Sequence, residues 1–277
     1  MSPANPLVPI SVIVLTRNEE RNIRECLRSV DWSDDIVVVD SGSTDRTVDL
    51  ARLHTPKVIA SEWLGYAETK SLAVTHTVHD WVLWLDADER VMPGLAAEIK
   101  QVVERDRAGE RGYEVARRAY FLGKWIRHCG WYPGYVVRLF RKDSARFVAT
   151  RVHERLEISG PVGRLNGDLL HYTDATLGQY LAKFNRYTTL AAEDLADKGR
   201  DASLYDLVVR PPYMLLKMYV LRLGFLDGMH GLVLSLLSSA YVFWKYAKLW
   251  DLRRAQRERG EHSGHAGRPE SGVKSVR

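Results

Sequence analysis

The run Trp81-Val82-Leu83-Trp84-Leu85-Asp86-Ala87-Asp88 decides how this chain is read. Its first five residues are apolar without a break, the pattern of a strand buried on both faces. Two carboxylates follow directly, one residue apart. Alternation along an extended chain sends both side chains to the same side. Hard oxygen ligands so placed suit Mg2+ or Mn2+, which bind through one or two carboxylates plus substrate phosphates. An isolated Asp-x-Asp is common in loops; one that directly follows a buried strand carries more weight.

Upstream of that run the chain alternates in type. Ile10–Leu15, Ile36–Val39 and Lys57–Ala60 read as strands, and helical patterns lie between them at about Asn18–Val30, Thr44–His54 and Tyr66–Thr75. Apolar strands separated by helices predict an α/β fold: a mostly parallel, Rossmann-like sheet flanked by helices. Right-handed crossovers then bring the strand ends to one edge, where open α/β sheets bind ligands. The polar clusters Thr16-Arg17-Asn18-Glu19, Asp40 to Asp45, and Asp86 to Asp88 all fall at that edge. Thr16 and Glu19 also fit a capping box. Asp40 is placed to accept hydrogen bonds from a ribose or a base, or simply ends its strand; Asp45 fits a helix cap equally well. Neither Gly-x-Gly-x-x-Gly nor Gly-x-x-x-x-Gly-Lys-[Ser/Thr] occurs, so dinucleotide and P-loop readings lack their motifs.

Downstream, Tyr113–Arg117, Tyr135–Phe140 and Arg146–Val148 read as further strands and an acceptor-side wall. Helical patterns follow at about 177–198, 203–222 and 229–250. The expected organisation is a catalytic domain over 1–172, with a donor half to about 110 and an acceptor side beyond it. A helical region over 173–254 and a disordered basic tail over 255–277 follow. From Asp251 onward seven Lys/Arg stand against four Asp/Glu. The total net charge of +5 is modest, and no nucleic-acid partner is expected. Two cysteines, Cys26 and Cys129, form neither a disulfide framework nor a zinc spacing, and the first residues lack signal-peptide order. Both point to the cytoplasm. Between Asp227 and Lys245 only His230 can carry charge, while Arg210, Lys217, Arg222, Lys248 and Arg253 flank that stretch. Helices lying in an anionic membrane interface fit this pattern. Helices packed on the catalytic domain or on a second copy of the chain fit it too, and the apolar length is at the lower limit for a span.

Three motifs taken in order, Ser11-Val12-Ile13-Val14-Leu15-Thr16-Arg17-Asn18-Glu19-Glu20, Val38-Val39-Asp40-Ser41-Gly42-Ser43-Thr44-Asp45 and Leu85-Asp86-Ala87-Asp88-Glu89, resemble family 2 glycosyltransferases of the GT-A fold. The later Trp131-Tyr132-Pro133, Arg138-Leu139-Phe140-Arg141, Val152-His153-Glu154 and His171-Tyr172 resemble the branch that includes lipopolysaccharide-core glucosyltransferases. The resemblance covers roughly 10–250. It implies a nucleotide-diphospho-sugar donor such as UDP-glucose, a glycan or lipid-linked acceptor, a divalent metal (Mg2+ or Mn2+) and inversion at the anomeric carbon. Carried over, Thr16, Asn18 and Glu19 lie near the nucleotide, Asp40 contacts base or ribose, and Asp45 supports that loop. Lys70 sits near the donor, and Asp86 and Asp88 bind the metal-diphosphate. Gly134 departs from the acidic residue that many relatives carry after Trp-Tyr-Pro. Inversion needs a base for the acceptor hydroxyl. Glu154 is the first candidate and His153 the second, against a surface role in which Glu154 pairs with Arg151 or Arg155. His171 either completes the metal shell or is a hydrogen-bonded core histidine. Arg138 and Arg141 are candidates for phosphate contacts. The competing classes are a nucleotidyltransferase, a phosphotransferase using Asp86 as nucleophile, and an inactive membrane-associated scaffold.

Overall fold

The structure is a computed structural model that describes residues 8–105, 109–148 and 155–265. Its first half lays down β1 (Val8–Thr16), α1 (Ile23–Arg28), β2 (Ser33–Asp40), α2 (Thr47–Arg52), β3 (Val58–Ala60), α3 (Tyr66–Thr75) and β4 (Trp81–Asp86). These four strands are parallel in the order β3-β2-β1-β4. Residues alternate between two apolar layers. Val12, Val14, Leu83 and Leu85 face α1 and the next helix, whereas Ile13, Val37, Val82 and Trp84 face α3. Each such side chain fully removed from water stabilises the fold by about 1.5–3 kcal/mol. Asp86 continues the parity of Val82 and Trp84, so it leaves the sheet on the α3 side.

Beyond β4 the sheet is mixed. The chain makes β5 (Glu89–Val91), α4 (Pro93–Arg105), β6 (Gly112–Phe121), β7 (Lys124–Trp125), β8 (Gly134–Arg141), β9 (Ala145–Val148), β10 (Arg155–Ile158) and β11 (Val162–Asp174). The sheet runs on from β4 through β8, β6 and β11 to β5, with β7 paired to β6. The β9–β10 pair is separate, and Phe147, Leu156 and Ile158 pack it on the α3 face. No element was expected between Asp88 and Glu110, yet α4 is there. Pro93 opens it, and Leu95, Ile99 and Val103 form the buried stripe of a helix. It presses on β11 so closely that a Cβ on Gly167 would lie 2.5 Å from the Leu95 Cα.

β5 matters most to the site. It leaves the end of β4 and pairs antiparallel with β11 at the far edge, setting Glu89 opposite His171. The sheet thereby wraps the Asp-x-Asp turn against a strand some eighty residues later in the chain.

The helical part comprises α5 (Leu177–Asp197), α6 (Leu204–Val208), α7 (Arg210–Leu216), a π-helical turn at Lys217–Leu221, a 3-10 turn at Gly224–Asp227 and α8 (Gly228–His265). The single helix expected over 203–222 is divided. Pro211 and Pro212 restart it after Val209, because proline has no N–H to continue the ladder. Leu223, with φ +54°, ends it. α8 runs to His265, past the 250 and 254 boundaries read from composition. Arg254 pairs with Asp251 and Glu258 along it, and Arg253 and Arg257 reach Asp201.

Candidate active site

The turns after β1 and β2 are tied to one another. Asn18, at φ +56°, accepts from the Thr44 N–H at 2.8 Å and donates its own N–H to the Ser43 hydroxyl at 2.8 Å. The Glu19 N–H donates to the Thr47 hydroxyl at 2.8 Å, and Asp45 accepts from the N–H groups of Glu20 and Thr47. The Asp40 carboxylate accepts from the Gly42 and Ser43 N–H groups and from the Ser43 hydroxyl. Gly42 takes φ +85°, a turn that glycine adopts without a side-chain clash. The capping box of Thr16 and Glu19 does not form. α1 starts only at Ile23, and the Thr16 hydroxyl is buried with no partner among the described residues. Burial pushes the Glu19 carboxyl above its ordinary value, against the hydrogen bond from Asn22.

At the end of β4 lies a compact charge network. Arg138 on β8 is 2% exposed, and its Nη2 donates to Asp86 Oδ2 at 2.7 Å and to Glu89 Oε1 at 2.6 Å. Glu89 is fully buried, and its other oxygen accepts the Asp86 N–H at 3.1 Å. Arg117 on β6 stands 3.9 Å from Glu89. Lys70 and Arg138 both lie over the Trp84 ring, 3.5 and 3.9 Å from its centroid. Burial raises the Asp86 pKa, but Arg138 and Lys70 outweigh it and hold the group at about 2. Burial lifts Glu89 above its ordinary value, offset in part by Arg138. Asp86 is therefore a fixed anion at neutral pH. Arg138 holds Asp86 charged and oriented, with Nη2 of its guanidinium bonded to both carboxylates.

Because β5 pairs with β11, Asp88 meets His171: Nε2 lies 3.5 Å from Oδ2, and the Tyr172 N–H donates to the Asp88 carbonyl at 2.9 Å. Burial lowers the His171 pKa, but Asp88 more than reverses this and raises it. Among the described residues no three metal-ligating side chains stand together. A carboxylate and an imidazole at this separation fit a cation whose remaining ligands are phosphate oxygens and water. Lys183 of α5 pairs with Asp174 at 3.1 Å, and Asp88 and Glu19 both raise its pKa, after burial, which lowers it, and Asp174.

The structure thus gathers Thr16, Asn18, Glu19, Asp40, Asp45, Lys70, Asp86, Asp88, Arg138 and His171 along one sheet edge. His153 and Glu154 lie outside the described residues. Arg141 is at the opposite end of β8 beside Asp80, away from that edge. Glu89, Arg117 and Lys183 were not singled out from the sequence. Glu89 did carry a signal, as the third acidic residue in four positions at a strand end.

Comparison with known proteins identifies the family and the fold. The family model of glycosyl transferase family 2 matches residues 11–144. A lipopolysaccharide core biosynthesis glycosyltransferase, LpsC, of Rhizobium meliloti is 30% identical over 268 residues, covering 87% of this chain and 94% of that protein. An uncharacterized glycosyltransferase of Rickettsia typhi is 31% identical over 254 residues, covering 88% and 87%. Among solved structures, the mannosyltransferase of Pyrobaculum calidifontis in complex with GDP-Man and Mn2+ superposes with a TM-score of 0.52 at 16% identity, covering 88% of each chain. That likeness is one of fold. On the family model and these relatives the chain belongs to glycosyltransferase family 2, and its sheet has the GT-A fold.

Proposed function

We propose that the protein transfers a hexose, with inversion, from a nucleotide-diphospho-sugar such as UDP-glucose to a glycan or lipid-linked acceptor of the cell envelope, at the cytoplasmic face of a membrane. The observation that carries the proposal is the Asp88–His171 pair beside the anionic Asp86, at the edge where the β1 and β2 turns also converge. The name of the R. meliloti relative supports a lipopolysaccharide-core acceptor. Family membership sets aside the nucleotidyltransferase and aspartyl-nucleophile readings.

A Mg2+ or Mn2+ ion held by Asp88 and His171 would neutralise the diphosphate as its bond to the sugar breaks. The chain's own residues do the rest. Asp40 and the buried Thr16 hydroxyl hold the nucleoside, within a frame that Asn18, Glu19 and Asp45 keep rigid. Asp86 has one carboxylate oxygen on Arg138 and offers the other to the donor. Lys70 and Lys183 add positive charge at the diphosphate. Glu154, or His153 in its place, takes the proton of the acceptor hydroxyl. The new C1–O bond forms on the face opposite the leaving diphosphate, which departs with the electron pair of the old bond.

The membrane part rests on residues 204–229. Tyr213, Leu216, Val220, Leu221, Phe225 and Leu226, large apolar residues close together in the chain, are all exposed, and exposed apolar surface of this kind marks interaction sites. Among the described residues one helix, Gly224–Glu258, is long and apolar enough to cross a membrane, and only 28% of its most apolar window is buried.

Released nucleotide tests the proposal: purified protein, Mn2+ and a panel of nucleotide sugars should show release with one donor above all others. No release from any donor, with or without membrane extract, would overturn it. In calorimetry Asp88→Ala should abolish metal-dependent donor binding; unchanged binding moves the metal elsewhere.

A further inference from the structure

A cavity of about 620 Å3 lies between the Cys129–Pro133 segment, α5, α7 with its π turn, and α8. That volume falls within the range of small-molecule sites, roughly 300–1,000 Å3. Trp131, Tyr180 and Tyr241 contribute aromatic surface to it, and Met214 and Met218 apolar surface. Lys217 and Arg222 also line it, and no lining residue is acidic. Neither cation has an ion-pair partner among the described residues. A cavity with aromatic walls and two uncompensated cations selects a ligand that is anionic and has apolar faces.

The cavity opens between two other features. On one side it adjoins the catalytic edge. The Phe121 ring meets Trp131 at 6.2 Å and Tyr180 at 5.5 Å, and Phe121 pairs in register with Asp174. Asp174 is three residues beyond His171 on β11, roughly 10 Å at the rise of a strand. Tyr180 and Lys183, three apart on α5, share a helix face, so one helix carries both the cavity wall and the cation beside Asp174. On the other side is the apolar face. The segment that contributes Met214, Lys217, Met218 and Arg222 to the cavity leaves Tyr213, Leu216, Val220 and Leu221 exposed. The floor is preformed: the Cys129 N–H donates to the Arg222 carbonyl at 3.0 Å, and a Cβ on Gly224 would lie 2.7 Å from the Cys129 sulfur.

We propose that this cavity seats the headgroup of the acceptor, and that the acceptor is a phosphate-bearing glycolipid. Lys217 and Arg222 hold its phosphate, and Trp131, Tyr180 and Tyr241 pack against its sugar. Its acyl chains stay in the bilayer, against which the outer face of the same segment lies. The proposal rests on the lipid-linked acceptor put forward above and adds the site, the charge and the contacts.

The test uses the full chain and phosphatidylcholine nanodiscs carrying lipid A (a phosphorylated disaccharide glycolipid), dephosphorylated lipid A, or phosphatidylglycerol. The wild type should bind lipid A nanodiscs about tenfold more tightly than the dephosphorylated form, the scale of a lost charge-assisted contact. The double variant Lys217→Ala/Arg222→Ala should erase that preference, and Lys217→Arg/Arg222→Lys should keep it. Ser238→Trp, which fills the cavity without changing charge, should weaken binding to both glycolipids. Unchanged thermal midpoints show that each variant folds. Three results would overturn the proposal: a lipid A preference that survives the double alanine variant, equal binding of phosphatidylglycerol and lipid A, or full glycolipid binding by Ser238→Trp. Binding is read without donor, so it stands or falls apart from the nucleotide-release assay.

Discussion

The parallel half of the sheet and the helical stretch 204–229 treat apolar side chains in opposite ways. Ile10, Val12, Ile13 and Val14 of β1 are wholly buried between two helical layers, whereas Leu204 is 76% exposed, Met229 69% and Leu221 61%. The helical stretch adds a few polar knots to the apolar contacts of Leu207, Met214 and Met218. Asp227, buried, accepts from the N–H groups of Arg127 and His128, and Asp206 caps α6 and pairs with Arg210 at 2.6 Å. The sheet draws its stability from its own core. The helical stretch packs only part of its apolar surface, chiefly Leu207, Met214 and Met218, and leaves much of the rest exposed.

The hardest test of that contrast lies where the sheet half buries charge. Arg138→Ala strands Glu89 without its principal cation and removes the partner of Asp86. Breaking a buried pair from one side costs about 3–5 kcal/mol. Glu89, already pushed up by burial, then takes a proton and recovers part of the loss. Arg138→Lys keeps the charge but not the planar guanidinium, and falls short of wild type. Urea denaturation measures both. A loss below about 1 kcal/mol for Arg138→Ala would mean that the network is catalytic only and contributes little to the fold.

How far each region can be read in the sequence follows the same division. Strands β1, β2 and β4 are continuous apolar runs, and their periodicity is local, so the edge carrying Asp40, Asp86 and Asp88 could be placed from residues alone. The Asp88–His171 contact could not. It depends on β5 crossing to the far edge, a pairing between three residues and a strand eighty positions away with no local signal, so His171 enters as a candidate for the metal shell without the pairing that brings it to Asp88. For the same reason the carboxylate partners of Arg138 were not legible: nothing in Arg-Leu-Phe-Arg shows that β8 sets it over Trp84, between two carboxylates. The buried stripe of α4 consists only of Leu95, Ile99 and Val103, one apolar residue per turn, which is a weak periodic signal beside the continuous runs of the strands. The break in 203–222 was legible at Pro211-Pro212.

A second experiment sharpens the contrast through pH. Asp35 is 3% exposed, at the start of β2. It accepts from Ser11 at 2.6 Å, Lys57 at 2.5 Å and the Val78 N–H at 2.9 Å. Burial raises its pKa, but these three donors outweigh burial and hold it below 3.8. A carboxyl depressed on folding stabilises the protein above its unfolded value and loses that contribution as pH falls through the folded one. Asp35→Asn should therefore cost about 2 kcal/mol at neutral pH. Its deficit against wild type should shrink as pH falls below 3.8. A deficit constant across that range would show that the hydrogen-bond shape matters at this position and the charge does not.

The smallest effect on stability belongs to the exposed face, and there the two regions part most clearly. Leu221→Glu/Phe225→Glu puts two charges on surface that is already in water, so unfolding should move by no more than about 0.5 kcal/mol. The same pair should strongly reduce cosedimentation with phosphatidylglycerol–phosphatidylcholine vesicles, because two apolar contacts become two anions facing an anionic surface. Sedimentation without lipid distinguishes a membrane from a second copy of the chain. If these residues form a subunit interface, the variant loses mass in solution and vesicle binding is unaffected. If they face lipid, mass is unchanged and only the vesicle-bound fraction falls. An equal substitution inside the sheet, at Leu83 for example, has no such choice: that side chain is 1% exposed, and a buried glutamate there has no partner and no surface to reach.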